Sequence, residues 1–338
     1  MRRALLLLLG LWLASLPAHA ALSPHEVAVI VNQDDPDSFK LGQYYAQRRG
    51  IPMDNIVQVS LGLPRPVLDP AVFDRAYIKT RIATRHGIQA YALAFTLPYR
   101  VGCMSITTAF ALGYGKRFCA DGCGPTAPNP IYDEDGGRPW EDFGLHLTMM
   151  LAAKDLPGAR QLVDRGANSD GRQPAGRAYL VITDDTARNS RAPRFALTKA
   201  QLDGRYPISI ERTAGIRDRR DVMFYFTGAA QVPNLNTLHF LPGAIGDHLT
   251  SFGGQLNGSG QMSALRWLEA GAVASYGTVV EPCNYPQKFP DPGIVMRAYL
   301  NGDTVVEAYW KSVVWPGQGL FIGEPLARPF GPAATPPP

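Results

Sequence analysis

Two side chains in the last third of the chain are of types that do nucleophilic chemistry together. They are His248, in PGAIGDHLTS, and Cys283, in TVVEPCNYP, 35 residues apart. A cysteine attacks as its thiolate, and a neighbouring imidazole is the usual means of forming one at neutral pH. Glu281 could orient that imidazole if the turn at Pro282 brings it round. Asp247 is a poorer orienter, because GAIGDHL reads as helical and adjacent side chains on a helix diverge. Backbone N–H groups of Gly253-Gly254 or Gly258-Gly260 could supply an oxyanion site. The expected catalytic set is therefore Cys283, His248 and Glu281, acting as a hydrolase.

A second reading competes with it. The chain has four cysteines, Cys103, Cys119, Cys123 and Cys283, and an even count outside the cytoplasm argues for pairing. Cys119 and Cys123 share the loop FCADGCG, where a local bridge is easy, and Cys103, which like Cys283 follows an expected sheet strand, is the candidate partner of Cys283. A paired Cys283 is no resting nucleophile. Other chemistries find less support. His239, Asp247 and His248 follow no metal-site spacing, and the FCADGCG loop lacks a second ligand pair for zinc. The first strand ends in VNQDD without a glycine-rich phosphate loop, so no cofactor is expected. Trp140, Trp267, Trp310 and Trp315 could line a sugar or peptide groove. Trp267 and Trp310 fall on apolar helical faces, which leaves Trp140 as the better exposed contact.

The elements that must position these residues follow from periodicity. HEVAVIVN (25–32) is a short β-branched apolar run, the mark of a strand buried on both faces. A capped helix follows and closes at Gly50. A strand comes next (55–61), then a helix (73–86) and a third strand (88–98). Strands and helices alternating at this spacing predict parallel pairing with crossover helices. Residues 100–142 are rich in Gly, Pro and Asp and read as an irregular insertion. LHLTMMLAAK (145–154) and 159–165 read as helices, and 178–183, 208–212 and 221–227 as strands. RNSRAPRF (188–195) reads as an exposed connector. A helix is expected over 304–314, then an edge strand at 320–322. The fold class is thus α/β, a mostly parallel sheet with helices on both faces and a Gly/Pro-rich insertion.

Composition bounds the setting. MRRALLLLLGLWLASLPAHA has the basic start, apolar run and small-residue cleavage site of a secretory signal peptide. Its removal takes two of 33 basic residues, leaving 31 against 29 acidic, so the charge falls from +4 to +2. That is too weak a field to point to nucleic acid. No later apolar run reaches membrane-spanning length. The expectation is one elaborated domain over 21–330 and a disordered Pro-rich tail over 331–338. The location is periplasmic or secreted, and the partner an unidentified peptide or polysaccharide.

Longer stretches carry a resemblance. VNQDDPDSFKLGQYYAQRRGIPMDNIV, PGAIGDHLTSFGG, QMSALRWLEAGAVASYGTVVEPCN and EAYWKSVVWPGQGLFIGEPLARPF resemble an uncharacterised family of secreted bacterial proteins. That family occurs in genomes carrying exosortase, and the likeness implies a role near the envelope or its exported polymers. More distantly the layout is similar to gingipain-type peptidases, which implies a caspase-like three-layer arrangement with His after one strand and Cys after a later one. Here His248 lacks the glycine expected to follow it. A rival register sets DVMFYFTG in place of the His strand and LHFLPGAIGDHL in place of the Cys strand. Thr227 and Pro242 then occupy the catalytic positions, and the protein is an inactive relative. The short connection between those two strands counts against that register. The alternative to a hydrolase is accordingly a binding module or pseudoenzyme serving the envelope sorting or exopolysaccharide machinery.

Overall fold

The computed structural model describes residues 21–120 and 122–332. The signal peptide expected at 1–20, and all of the expected tail except Gly331 and Pro332, lie outside the described residues. Ten strands form the main sheet. In chain order they are β1 (Val27–Asn32), β2 (Ile56–Val59), β3 (Ala90–Leu93), β4 (Leu147–Met150) and β5 (Arg177–Ile182). They continue as β6 (Ile208–Arg212), β7 (Val222–Gly228), β8 (Phe240–Leu249), β9 (Ala274–Thr278) and β10 (Gly319–Gly323). Across the sheet the order is β2-β1-β3-β4-β10-β9-β8-β7-β5-β6. Only β9 and β10 pair antiparallel; every other neighbouring pair is parallel.

Eight helices of six or more residues are used below. They are α1 (Pro36–Arg49), α2 (Pro70–Ala83), α3 (Ile106–Leu112), α4 (Leu156–Ala167), α5 (Phe195–Gln201), α6 (Leu265–Ala270), α7 (Pro292–Leu300) and α8 (Val305–Lys311). Strand alternation distributes them over two faces. Val27, Val29 and Val31 of β1 belong to the core layer that includes residues of α1, α7 and α8, while Ala28 and Ile30 belong to the layer that includes residues of α2 and α3. A parallel strand covered on both faces has no polar side to show, which is why all six residues of β1 are buried. The helix ends follow local chemistry. Asp35 accepts from Asp37 N to cap α1 behind Pro36, and Gly50 closes it at φ 68°. Asp155 caps α4 by accepting from Gly158 N.

Four expectations are corrected. LHLTMMLAAK is not a helix: Leu147–Met150 is the buried strand β4. A fully buried four-residue run shows no alternation, so its period carried no information. The strand at 319–323 is not an edge but lies between β4 and β9. The insertion is not all irregular, since it holds α3, whose Ile106, Ala109 and Phe110 are fully buried. GAIGDHL is not helical; it is the C-terminal half of β8. There Gly246 has a local reason. A Cβ at that position would stand 2.7 Å from the ring of Trp267, so only glycine lets the indole lie on the strand. The connection from β7 to β8 is short yet joins two parallel strands, in register from Phe224↔Ile245 to Gly228↔Leu249.

Candidate functional site

The structure places the three expected catalytic residues in separate local roles. Cys283 is bonded to Cys123, and Cys103 to Cys119, with Cα–Cα separations of 5.4 and 5.5 Å. Both expected pairings, Cys119–Cys123 and Cys103–Cys283, are thereby corrected. The spacing of Cys119 and Cys123 is also compatible with each reaching outward to a different partner. Among the described residues no cysteine is free. Glu281 does not orient an imidazole; its Oε1 accepts from Cys283 N at 2.8 Å. That bond closes a turn in which Cys283 and Asn284 both take left-handed backbone, φ 58° and 57°. Such backbone costs about 1 kcal/mol or more for a residue with a Cβ. Gln318 holds the turn from below, donating to the carbonyls of Glu281 and Val280.

His248 sits at 1 % exposure with both ring nitrogens engaged. Trp267 Nε1 donates to its Nδ1 at 3.0 Å, and its Nε2 lies 3.0 Å from the Met262 carbonyl. An indole N–H only donates and a carbonyl only accepts, so the ring is fixed as the neutral Nε2–H tautomer. Burial pushes its pKa down to about 3, and the Arg191 and Arg188 charges act the same way against the Met262 carbonyl. Its one lone pair is committed to Trp267. Asp247, next along the strand, points to the other face and meets Arg191 Nη2 at 2.7 Å. Burial holds the Asp247 carboxyl above its usual range, with Arg191 opposing. Arg191 itself is 3 % exposed and donates to the carbonyls of Thr227 and Pro290. The expected exposed connector 188–195 is thus a 3-10 turn anchored on a buried ion pair.

The remaining candidates also resolve into structure. Gly254 N–H donates to Thr278 O and Gly258 N–H to Gln255 O, so neither is open to an oxyanion. His239 precedes β8 while His248 lies near its end, and no group of three potential metal ligands occurs among the described residues. Trp140 is not an open platform: Arg81 lies 3.8 Å over its ring and His146 stacks on it at 4.5 Å. Labelling the native, non-reduced protein with a thiol-reactive maleimide should modify no cysteine. All four should react after reduction in denaturant, as read by intact mass.

An open crevice lies elsewhere, where β1, β3 and β4 end. Between β1 and β3 the chain reverses its direction of travel across the sheet, because β2 lies on one side of β1 and β3 on the other. Open α/β sheets bind ligands outside the carboxyl ends of strands at such a switch point. The crevice has a volume of about 540 Å³. Its floor is apolar, from Leu41, Ala94, Phe95, Leu156, Ala159 and Leu265. Its rim carries Asp35, Asp37, Asp155 and Glu269 against Lys154 and Arg266. Thr96 fixes one wall, its hydroxyl donating to Ala153 O and accepting from Ala153 N. Asn257 fixes another by accepting from Tyr99. Sequence reasoning missed this site, although VNQDDPDS at the end of the first strand marked one side of it.

The fold defines an α/β protein with a mostly parallel ten-stranded sheet. No family model matches the chain, and no curated protein matches it. A solved structure described as "Structure of Protease" is similar over 91 % of this chain and 79 % of its own, at 10 % identity and a TM-score of 0.44. A likeness at that level says nothing about chemistry.

Proposed function

We propose that this chain is a non-catalytic binding protein of the periplasm or cell exterior that holds a peptide segment in the crevice at the ends of β1, β3 and β4. The observation that carries the reading is the contrast between two places. The Cys-His pair has its sulfur in a disulfide and its imidazole lone pair on an indole. The crevice is open, apolar at its floor and polar at its rim, as small-ligand sites are. A peptide suits it better than a glycan. Sugars bind on exposed aromatic faces, and Phe95, at 3 % exposure, is the one aromatic side chain lining it. Two disulfides fit an oxidising compartment, and no helix among the described residues is long and apolar enough to cross a membrane. The resemblance to the secreted family supports a ligand on the envelope side of the cell.

Leu156→Asp tests the crevice. Leu156 is half-buried and is the first residue of α4, where an acidic side chain is favourable, so the fold should tolerate the change. A carboxylate in the apolar floor should weaken binding of a fluorescein-labelled random tetrapeptide pool by about tenfold or more, a cost of about 1.4 kcal/mol. Unchanged anisotropy titration curves with a native melting temperature remove the crevice as the site.

A further inference from the structure

We propose that the cleft between α4 and α6 receives the free C-terminal carboxylate of a polypeptide whose apolar last side chain fills the crevice, with Arg165 as the counter-ion. This rests on the crevice reading above and names its ligand. A cavity of about 370 Å³ runs between the two helices and shares Lys154, Leu265 and Arg266 among its walls with the crevice. The two cavities adjoin, the crevice with its apolar floor and the cleft with Arg165 in its wall.

Arg165 lines the cleft. Its Nη2 donates to the carbonyls of Leu268 and Ala272, both at 2.9 Å, and this fixes the guanidinium against the end of α6. Its Nε is buried without an acceptor. Nη1 makes no hydrogen bond with the described residues, and no carboxylate among them pairs with this cation. Burial pulls its pKa down, with no opposing charge nearby. Among the described residues Arg49 has Glu324 and Asp170, Arg191 has Asp247, and Lys311 has Asp303, whereas Lys288, buried away from the cleft, also has no partner for its Nζ. A largely buried charge without a counter-charge is costly unless something supplies one.

The acids of the cleft do not supply it. Asp155 is spent capping α4, and Glu269 pairs with Arg266 at 2.6 Å. With exposed Lys154 at the junction, the cleft carries three cations against two acids. Nη1 is the donor that remains toward the cleft, and it can give a carboxylate oxygen one charge-assisted hydrogen bond. An apolar pocket beside a fixed guanidinium is what the end of a polypeptide presents in complement: a side chain and a carboxylate on one carbon.

The test uses the full mature chain and two N-terminally fluorescein-labelled tetrapeptide pools ending in Leu, one with a free carboxylate and one amidated. The free-acid pool should bind about tenfold tighter, a charge-assisted contact of about 1.4 kcal/mol. Arg165→Gln should bring the two pools to equal affinity. Arg165→Lys, which loses the forked bonds to α6 but keeps the charge, should restore part of the preference. Equal binding of both pools by the unaltered protein overturns the carboxylate site and leaves the crevice standing. Loss of both pools together in Arg165→Gln and Arg165→Lys makes Arg165 a support for α6 and overturns it too. If Leu156→Asp changes neither pool, the crevice reading has failed. Decanoate displacing the free-acid pool more strongly than an unlabelled Leu-terminated tetrapeptide overturns the polypeptide as ligand.

Discussion

Acidifying the protein from pH 8 to 4.5 should lower its stability steeply, because unfolding then takes up about two protons, one at His248 and one at His146. Both imidazoles are buried in apolar surroundings and held neutral, each with its pKa pushed down to about 3. His146 is fully buried, with Tyr91 stacked at 4.2 Å and Trp140 at 4.5 Å, and the Arg81 charge adds to the effect of burial. In the unfolded chain both titrate near 6.5. A base whose folded pKa is depressed binds its proton in the unfolded state first. Its stabilising contribution is complete above about pH 6.5 and is lost as pH falls toward 3. By pH 4.5 each ring should have removed at most about 3 kcal/mol, so the pair is comparable to the whole stability of a typical domain. Asp247 works in the opposite sense: burial raises its folded pKa, so the native state gains that proton early and recovers part of the loss. Urea midpoints at pH 8, 6, 5 and 4.5 check this. His248→Gln can still donate to Met262 O and accept from Trp267, and His146→Phe keeps the stack. Each should flatten the pH dependence by about one proton's worth, 1.4 kcal/mol per pH unit. A wild-type curve that is level between pH 8 and 4.5 removes the argument.

What the sequence disclosed and what it hid have physical explanations. The β1–α1–β2 start was legible because VAVIVN has the composition of a doubly covered strand and α1 carries its own caps at Asp35 and Gly50. The parallel α/β class followed from alternation of such units. LTMM was misread because its flanks, Leu145 below and Leu151-Ala152-Ala153 above, are good helix formers, and only tertiary pairing with β3 decides the matter. GAIGDHL was misread for a related reason. Gly246 looks like a helix weakness or a loop residue until Trp267, 21 positions on, lies against it. The candidate site suffered most. Cys, His and Glu in one segment are chemically suggestive, but one imidazole lone pair and one disulfide partner decide their meaning, and both come from residues distant in sequence. The crevice drew no attention because Leu41, Ala94, Ala159 and Leu265 are ordinary core residues one at a time, and Arg165 was one arginine of many.

Replacing both Cys123 and Cys283 with serine should lower stability by about 2–5 kcal/mol without creating or abolishing any cleavage activity. The bridge spans 160 residues of sequence, joining the insertion to the turn after β9, so its removal frees a long loop in the unfolded chain. On the folded side, the Glu281–Asn284 turn keeps its bonds from Gln318 and within itself but loses the covalent tie that helps hold Cys283 and Asn284 in left-handed backbone. The chemical half of the prediction is the sharper one. Reduction exposes a thiol at position 283, which the hydrolase reading takes to be a latent nucleophile. A thiolate there needs a base, and the lone pair of His248 is bonded to Trp267 while its other nitrogen serves Met262. Freeing that lone pair means leaving the Trp267 N–H unsatisfied in a buried site, at about 1–3 kcal/mol. Protonating the ring there costs more, as its depressed pKa indicates. Incubation of the reduced protein with a fluorogenic peptide library should therefore give turnover no faster than buffer, and Cys283→Ser alone should give the same trace. Measurable cleavage that appears on reduction and disappears in Cys283→Ser would restore Cys283, His248 and Glu281 as a redox-gated catalytic set. The denaturation midpoint of the double variant, taken beside that assay, separates a staple from a switch: a staple moves the midpoint and leaves turnover at zero.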